Sequence, residues 1–380
     1  MTQLNEAWLQ APETLAVMRA LDGEAYFVGG CVRNSLLGQP VADIDLSTPL
    51  VPEEVARCAE TAGLKAIPTG IDHGTITIVA GESAFEVTTF RRDVETDGRR
   101  AVVAFSTDMT EDAVRRDFTM NALYANAEGW VIDPLGGLPD LQAHRVKFIL
   151  DPEARIREDA LRILRFFRFT AWYGDEFEPE GLAACAALAE LVDGLARERV
   201  GAEMRKLLAA KDPAPAISAM AVSGVLRRIL PGALVDPLAV LVACEHEAGI
   251  APDPMTRLAA LGGESDLRLS KAEQRRLADI RHIVAEQIAP ARAAVDYGPD
   301  LATAGHLILS SLLPMSWRDV SSEIARGAQA VFPVSAQDLI AIGCVEGPEI
   351  GNYLTRAREA WIESGFTLSK AALLHDLQSS

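Results

Sequence analysis

Two aspartates separated by a single residue, Asp43 and Asp45, are the first side chains in this sequence whose types and spacing predict chemistry. On a strand, alternate positions point to the same face, so the two carboxylates would lie close together. Such a pair suits Mg²⁺, which takes one or two carboxylates together with waters and substrate phosphates. Metal ions held in this way activate an attacking hydroxyl and neutralise a leaving pyrophosphate. The alternative is a loop with two solvated aspartates.

A pair of glycines upstream supplies the phosphate half of such a site. Gly29 and Gly30 open a predicted helix that carries Arg33, and Asp43 follows that arginine by ten residues. Glycines let backbone N–H groups approach phosphate, and a helix start favours its negative charge. The spacing therefore predicts a nucleoside triphosphate held beside divalent metal, with Gly30 and Arg33 among the nucleotide-binding residues.

A third carboxylate is expected on a neighbouring strand. Glu86 alternates with apolar Phe85 and Val87 in the predicted strand 84–89. This makes Glu86 the candidate third catalytic carboxylate, with Asp43 and Asp45 as the metal ligands. The alternative is a solvent-facing glutamate on a half-buried strand.

These motifs resemble those of the class II tRNA nucleotidyltransferases, the CCA-adding enzymes and bacterial poly(A) polymerases of the polymerase-β superfamily. The resemblance covers at least residues 26 to 208. The first family motif, GG-x-V-R-D with D-x-D ten residues past the arginine, is matched by Gly29, Gly30, Val32, Arg33, Asp43 and Asp45. Asn34 stands where the family commonly has Asp. Because that residue is not a metal carboxylate, we expect the change to be tolerated.

The second motif is Arg115-Arg116-Asp117. The resemblance implies that it recognises the triphosphate and the ribose. Arginine suits phosphate oxygens, and Asp117 can accept a hydrogen bond from a ribose hydroxyl, which would favour ribonucleotides. Without the upstream motif, the same residues on the predicted helix 110–125 would be ordinary surface charge.

The fourth motif, E-D-x-x-R-x-x-R, runs from Glu158 to Arg165 within a predicted helix over 153–173. On that helix, Asp159 and Arg162 are neighbours on one face. Cytosine and adenine each present an amino donor beside a ring-nitrogen acceptor, so aspartate can accept from the first while arginine donates to the second. Guanine and uracil present the reverse order. An isolated D-x-x-R would be a plain ion pair.

Two arginines of the same helix cannot also read the base edge. Each three-residue step rotates by about 60° from the starting face of a helix, so we assign Arg165 and Arg168 to phosphate or to ordering of the site. The fifth motif, Arg197-Glu198-Arg199-Val200 with Glu203, is predicted to support the fourth-motif helix. The third, from Asp133 to Arg145, is predicted to be either a hinge or a plain turn.

Charge and composition limit the kinds of partner that the protein can bind. The formal net charge of −18 argues against nucleic-acid binding, but residues 155–168 hold five arginines against two acidic residues. The charged segment 91–105 adds Arg91, Arg92, Arg99 and Arg100, and is expected to be a turn-rich loop. Five cysteines without a CxxC pair, no signal peptide and no apolar span long enough for a bilayer predict a cytoplasmic protein with no membrane partner.

The elements that position these residues divide the chain. Strand patterns occur only in the first third, and helical patterns dominate after Asp151. The predicted fold class is α+β: a polymerase-β-like head with a mixed sheet and helices, followed by an all-helical neck and body or tail. The predicted domains are residues 1–150, 151–212 and 213–380. Ser270 and Ser335 are predicted to open helices with capping boxes.

The resemblance implies template-independent addition of C, C and A to tRNA 3′ ends from CTP and ATP, with Mg²⁺ as cofactor and RNA rather than DNA as partner. Within the family, a poly(A) polymerase, an A-adding enzyme and a CC-adding enzyme stay open. A non-catalytic RNA-binding protein is expected to have lost its metal carboxylates, yet Asp43, Asp45 and Glu86 are present. Cys244-Glu245-His246 and His375-Asp376 are predicted to be structural.

Overall fold

The computed structural model describes residues 2–97, 100–264, 266–312, 318–343 and 347–378. Two compact units are present: the first comprises residues 1–233 and 264–268, and the second comprises residues 234–263 and 269–380. Arg99 and Cys344 lie outside the described residues. None of the helices in the described ranges is long and apolar enough to cross a membrane. The division at residues 150 and 212 stays a prediction.

The first unit contains a seven-stranded mixed sheet and a separate two-stranded hairpin. The strands are β1 Tyr26–Val28, β2 Asp45–Thr48, β3 Lys65–Gly70, β4 Thr75–Ala80, β5 Ser83–Thr89, β6 Arg91–Asp97, β7 Arg100–Phe105, β8 Tyr124–Ala125 and β9 Val131–Ile132. The order in the large sheet is β3-β4-β5-β2-β1-β8-β9. Only β2 and β5 pair in parallel, and the other pairs are antiparallel. The predicted mixed sheet is confirmed.

Two sequence predictions fail in this region. The segment 91–105, expected to be a loop, forms the β6–β7 hairpin, whose pairing links Arg91 to Phe105 and Asp97 to Arg100. Strand β3 was not predicted, because it contains Pro68 and lacks a clean alternation. It lies at the edge of the sheet, where a proline without an N–H is tolerated.

In the described part of the chain, four helices of the first unit precede or separate the strands, and seven follow the last strand. They are α1 Pro12–Ala20, α2 Gly30–Leu36, α3 Pro52–Thr61, α4 Met109–Val114, α5 Leu138–Gln142, α6 Pro152–Glu158, α7 Leu161–Tyr173, α8 Pro179–Ala187, α9 Arg197–Leu208, α10 Ala214–Val222 and α11 Leu226–Ile229. Short 3₁₀ turns cover Ala7–Gln10, Ile71–His73, Thr119–Asn121 and Ala189–Gly194.

Two predicted helices end early because side chains compete for backbone hydrogen bonds. The helix expected over 110–125 stops at Val114, and the Asp117 carboxylate accepts from the N–H of Phe118. The single helix expected over 153–173 is wrong as well. Asp159 has an extended backbone (φ −149°, ψ 105°), and its side chain accepts from the N–H of Leu161, so α6 and α7 are separate helices.

The second unit is helical throughout the part that is described. Its helices are α12 Asp236–Ala248, α13 Pro254–Leu261, α14 Lys271–Ala285, α15 Pro290–Tyr297, α16 Pro299–Leu312, α17 Ser321–Gln329, α18 Ala336–Ala341, α19 Pro348–Glu363 and α20 Lys370–Gln378. Both predicted capping boxes are confirmed, at Ser270 and Ser335. Glu245 is buried and accepts from Arg257, which is also buried. Glu245 therefore forms an ion pair inside the second unit, which agrees with the structural role predicted for it.

Candidate active site

The glycine pair forms a sharp turn between β1 and α2. Gly29 has φ +70°, a conformation that side-chain-bearing residues rarely adopt, and its N–H donates to the carbonyl of Leu123. Its carbonyl accepts from the N–H of Arg33 as α2 begins. Arg33 therefore lies one turn beyond the glycines, on the first helix of the site.

Arg33 is buried and held almost entirely by neutral groups. Its guanidinium donates to Oδ1 of Asn34 (2.8 and 3.1 Å), to Oδ1 of Asn121 (2.5 Å) and to the hydroxyl of Tyr173 (2.9 Å). The Cζ atom lies 4.1 Å from the ring centroid of Tyr173 and 5.2 Å from that of Phe169. Burial lowers the pKa of Arg33, and Tyr173 and Asp117 partly offset this effect. The guanidinium stays a cation, since arginine is protonated at any ordinary pH.

Asn34, the departure from the family motif, has a clear role. Its Oδ1 accepts twice from Arg33, and its Nδ2 donates to the carbonyl of Pro40 at 2.9 Å. An aspartate could accept from Arg33 but could not donate to Pro40. The amide thus orients the arginine and ties α2 to the loop that leads to Asp43.

The carboxylates meet at the start of β2. Asp45 pairs in parallel register with Glu86 on β5, so the prediction that Glu86 lies on a neighbouring strand is confirmed. Asp43 precedes β2 and is exposed, which corrects the prediction that both aspartates lie on one strand. Burial raises the pKa of Asp45, as do Glu86 and Asp43, while Arg116 lowers it. Asp45 is therefore close enough to Glu86 and to Asp43 for their negative charges to act on it.

This donor set fits a divalent cation. Across the described ranges, no group of three or more His, Cys, Asp or Glu side chains comes together as a complete metal site. Mg²⁺ needs only one or two protein carboxylates, because waters and substrate phosphates supply its other ligands. A cation at Asp45 and Asp43 would also relieve the repulsion that raises the pKa of Asp45.

Asp112, which the sequence reasoning missed, contacts both arginines of the second motif. It is fully buried and accepts from Arg115 (2.8 Å), Arg116 (3.0 Å) and the hydroxyl of Tyr124 (2.7 Å). Burial by itself would lower the pKa of Arg116, but Asp112 and Tyr124 raise it. Arg116 also donates to Ser47 on β2, at 3.2 Å. The i, i+3 and i, i+4 spacing from Asp112 to the arginine pair was the available signal.

Asp117 and Glu203 anchor two arginines of α7. It is buried, and its Oδ2 accepts from Arg165 at 2.6 Å while its Oδ1 accepts from Asn121 at 2.9 Å. Burial would raise the pKa of Asp117, but Arg165 and Asn121 hold it below its usual value. Arg168 donates to Glu203 of α9 at 2.6 Å. These contacts support the ordering role predicted for Arg165 and Arg168.

The fourth motif differs most from its predicted geometry. Asp159 and Arg162 do not share a helix face, because Asp159 lies between α6 and α7. Asp159 accepts instead from Arg199 of α9 at 2.7 Å. Arg162 donates to Glu158 (2.6 Å) and to the carbonyls of Arg155 (2.8 Å) and Arg115 (3.0 Å). Arg199, predicted only to support the helix, is thus part of the site.

A cavity of about 430 Å³ gathers these groups within the first unit. Its lining includes eight predicted site residues: Gly30, Arg33, Asp45, Arg116, Asp117, Asp159, Arg162 and Arg165. It also includes six positions outside the predicted set of site residues: Gly29, Arg115, Asn121, Leu161, Phe169 and Arg199. Three other predicted site residues are not among the described residues that line the cavity: Asp43, Glu86 and Arg168. The cavity combines three carboxylates, a glycine turn and six arginines, which suits a nucleoside triphosphate.

The fold and the site together define a class of protein. The mixed sheet, the paired carboxylates beside a glycine turn and the arginine-lined cavity are those of a nucleotidyltransferase with a poly(A) polymerase-type head. Residues 25–147 match the family described as the poly A polymerase head domain. Residues 176–235 match a family described as a probable RNA and SrmB-binding site of polymerase A.

Relatives that match nearly the whole chain show which family within this class the protein belongs to. The chain is 33% identical to the mitochondrial CCA tRNA nucleotidyltransferase 1 of Danio rerio, over 94% of this chain and 88% of the relative. It is also 33% identical to the CCA-adding enzyme of Lactobacillus delbrueckii, over 98% of each chain. The structure of the Bacillus stearothermophilus CCA-adding enzyme in complex with CTP matches with a TM-score of 0.79 and 26% identity, over 99% of this chain and 98% of that one. This chain belongs to the family of CCA-adding tRNA nucleotidyltransferases.

Proposed function

We propose that this protein adds C, C and A to the 3′ ends of tRNA from CTP and ATP, without a nucleic-acid template. The observation that carries the proposal is the single cavity in which the glycine turn, Asp45 and Arg116 lie with Asp159 and Arg162. The relative from Lactobacillus delbrueckii, which matches over 98% of the chain, carries the name CCA-adding enzyme, which supports the same activity. The cytoplasmic location stays a prediction, since some relatives are mitochondrial.

In the proposed reaction, the 3′ oxygen of tRNA forms a bond to the α-phosphorus of the nucleotide. The bond from that phosphorus to the bridging β-oxygen breaks, pyrophosphate leaves, and the hydroxyl proton passes to solvent. Arg33 and Arg116 hold the triphosphate, and the buried Asp112 keeps Arg116 in place. Asp117 is fixed by Arg165 and Asn121, beside the position proposed for the ribose.

Nucleotidyltransferases of this family use divalent metal, and we propose Mg²⁺ with Asp43 and Asp45 as its ligands and Glu86 beside them. When bound, it would favour ionisation of the attacking hydroxyl and neutralise charge on pyrophosphate. Exchanging Asp43 and Asp45 together for alanine should abolish incorporation while tRNA binding persists. Incorporation by that variant would refute the enzymatic proposal.

Base selection is proposed to reside in Asp159 with Arg162. Asp159 accepts from the amino group of cytosine or adenine, and Arg162 donates to the ring nitrogen. To do so, Arg162 must exchange one of its hydrogen bonds to Glu158, Arg155 or Arg115 for the base. Arg199 fixes Asp159, so it helps to hold the acceptor in position. A buried polar mismatch then rejects guanine and uracil.

The decisive experiment offers a tRNA that ends at its discriminator base to the protein, with each nucleotide separately and with all four together. We expect addition to stop after C, C and A. Long runs of A without CTP would identify a poly(A) polymerase instead, and products ending after CC or needing a CC end would identify a partial enzyme. Arg162→Ala should lose the preference for CTP over UTP, whereas the exposed Arg157→Ala on α6 should retain it.

A further inference from the structure

Trp172 lies on the cavity-facing side of α7 but outside the cavity itself. Arg165 and Phe169 line the cavity, and a helix of 3.6 residues per turn brings position 172 to the same face. The two-turn step from Arg165 corresponds to about 10 Å along the axis. Trp172 does not occur among the described residues that line the cavity, and 42% of its surface is exposed.

The indole is held in place at this position. Its Nε1–H donates to the carbonyl of Lys206 on α9 at 2.7 Å, and its ring centroid lies 6.4 Å from that of Tyr173. Tyr173 in turn contacts Arg33, whose neighbour Asn34 donates to Pro40 in the loop leading to Asp43. The tryptophan thus continues the face of α7 that lines the cavity, and it connects through Tyr173 and Arg33 to the helix that precedes Asp43.

An exposed, fixed tryptophan beside basic residues suits a nucleobase. Aromatic side chains stack on unpaired bases whatever their sequence, because every base has a π-face. The last turn of α9 carries Arg205 and Lys206, and Lys206 is exposed, which favours a phosphate backbone nearby. The incoming nucleotide occupies the adjoining cavity, so the base that reaches Trp172 must belong to the other substrate.

We propose that Trp172 is a stacking platform for an unpaired base at the 3′ end of the acceptor RNA. The inference rests on the proposed function, which supplies the RNA substrate. It assigns to Trp172 the positioning of the acceptor strand, and it leaves selection of the nucleotide to the cavity. Trp172→Ala should therefore change the use of tRNA and not the use of CTP.

The test compares three variants of the full chain. Trp172→Ala should raise the KM for tRNA about 5- to 150-fold, the range of base-stacking contributions, with the KM for CTP unchanged. Trp172→Phe keeps a stacking face and should recover most of the loss. Trp130→Ala is the matched control, since Trp130 of the first unit is 41% exposed and does not line the cavity. It should behave as the wild-type protein does.

A second measurement separates stacking from a structural defect. tRNA primers that are abasic at the last or the penultimate nucleotide should bind the wild-type protein more weakly than intact tRNA, whereas Trp172→Ala should bind intact and abasic primers alike. The proposal would be overturned if Trp172→Ala and Trp130→Ala bound tRNA with equal affinity. It would also be overturned if abasic primers lost the same affinity for the wild-type protein as for Trp172→Ala. A wild-type protein that binds tRNA but incorporates nothing would refute the proposed function alone.

Discussion

Asp112 offers the sharpest test of how the triphosphate side of the site is built. Its side chain is fully buried, while its partners Arg115 and Arg116 are 17% and 18% exposed. Replacing it by Asn removes the charge and keeps the volume, so the two guanidiniums lose their shared counter-charge. Breaking a buried pair costs about 3–5 kcal/mol. Because both arginines retain some solvent, we expect the lower end, about 3 kcal/mol, in urea-induced unfolding of the full chain.

The same change should act on function and on pH dependence. Arg116 loses its anchor, so the KM for CTP should rise about tenfold, or roughly 1.4 kcal/mol. Burial by itself would raise the pKa of Asp112. The combined opposite effect of Arg116 and Arg115 is larger, so the pKa lies below its usual value. Its contribution is therefore present above the unfolded pKa of about 3.9 and is lost as pH falls through the folded value. The stability difference between wild type and Asp112→Asn should shrink below about pH 4.

The control for Asp112 is Glu153→Gln, which breaks the pair with Arg157 on α6. Those side chains are 52% and 59% exposed, so the loss should stay between about 0 and 1 kcal/mol. If Asp112→Asn costs no more than this control, or if its effect does not depend on pH near 4, then the buried cluster does not hold Arg116 as we describe.

The remaining predictions concern strain and burial in the first unit. Leu150 has φ +61° and is 69% exposed, so Leu150→Gly removes a left-handed penalty with little loss of burial and should raise stability by about 1 kcal/mol in thermal melts; an unchanged or lower melting temperature would contradict this. Burial raises the pKa of the Cys31 thiol to about 11, so Cys31 should resist iodoacetamide at pH 8 unless the protein is unfolded, as peptide mapping would show. Since the thiol ionises near pH 8.5 only in the unfolded chain, stability should fall as pH rises from about 8.5 to about 11.

Local pattern predicted much of the head. The glycine turn follows from the need for positive φ at Gly29, and the strand β5 follows from its alternation of apolar and polar residues. Both capping boxes depend on neighbours three residues apart, so the sequence contains all of their partners. The fold class and the family followed from the same short motifs.

Predictions failed where a distant partner decides the outcome. In the β6–β7 hairpin, β6 is mostly charged and shows no alternation of apolar and polar residues, so its pairing with β7 is not visible in the pattern. The break between α6 and α7 depends on the Asp159 carboxylate, which accepts from Leu161 and from Arg199, 40 residues away. The helix propensities of these residues favour a continuous helix, but the hydrogen bonds to the Asp159 carboxylate outweigh them.

The sequence by itself determined which groups carry the chemistry: the carboxylates, the glycine turn and the arginines, whose types and spacing are local properties. Only the tertiary structure decided what each of them contacts. It shows Arg116 held by Asp112, Asp159 paired with Arg199 in place of Arg162, and Trp172 exposed beside the cavity. The physical reason is that burial and hydrogen-bond partnership depend on elements far apart in the chain, and these set the charge and orientation of every group in the site.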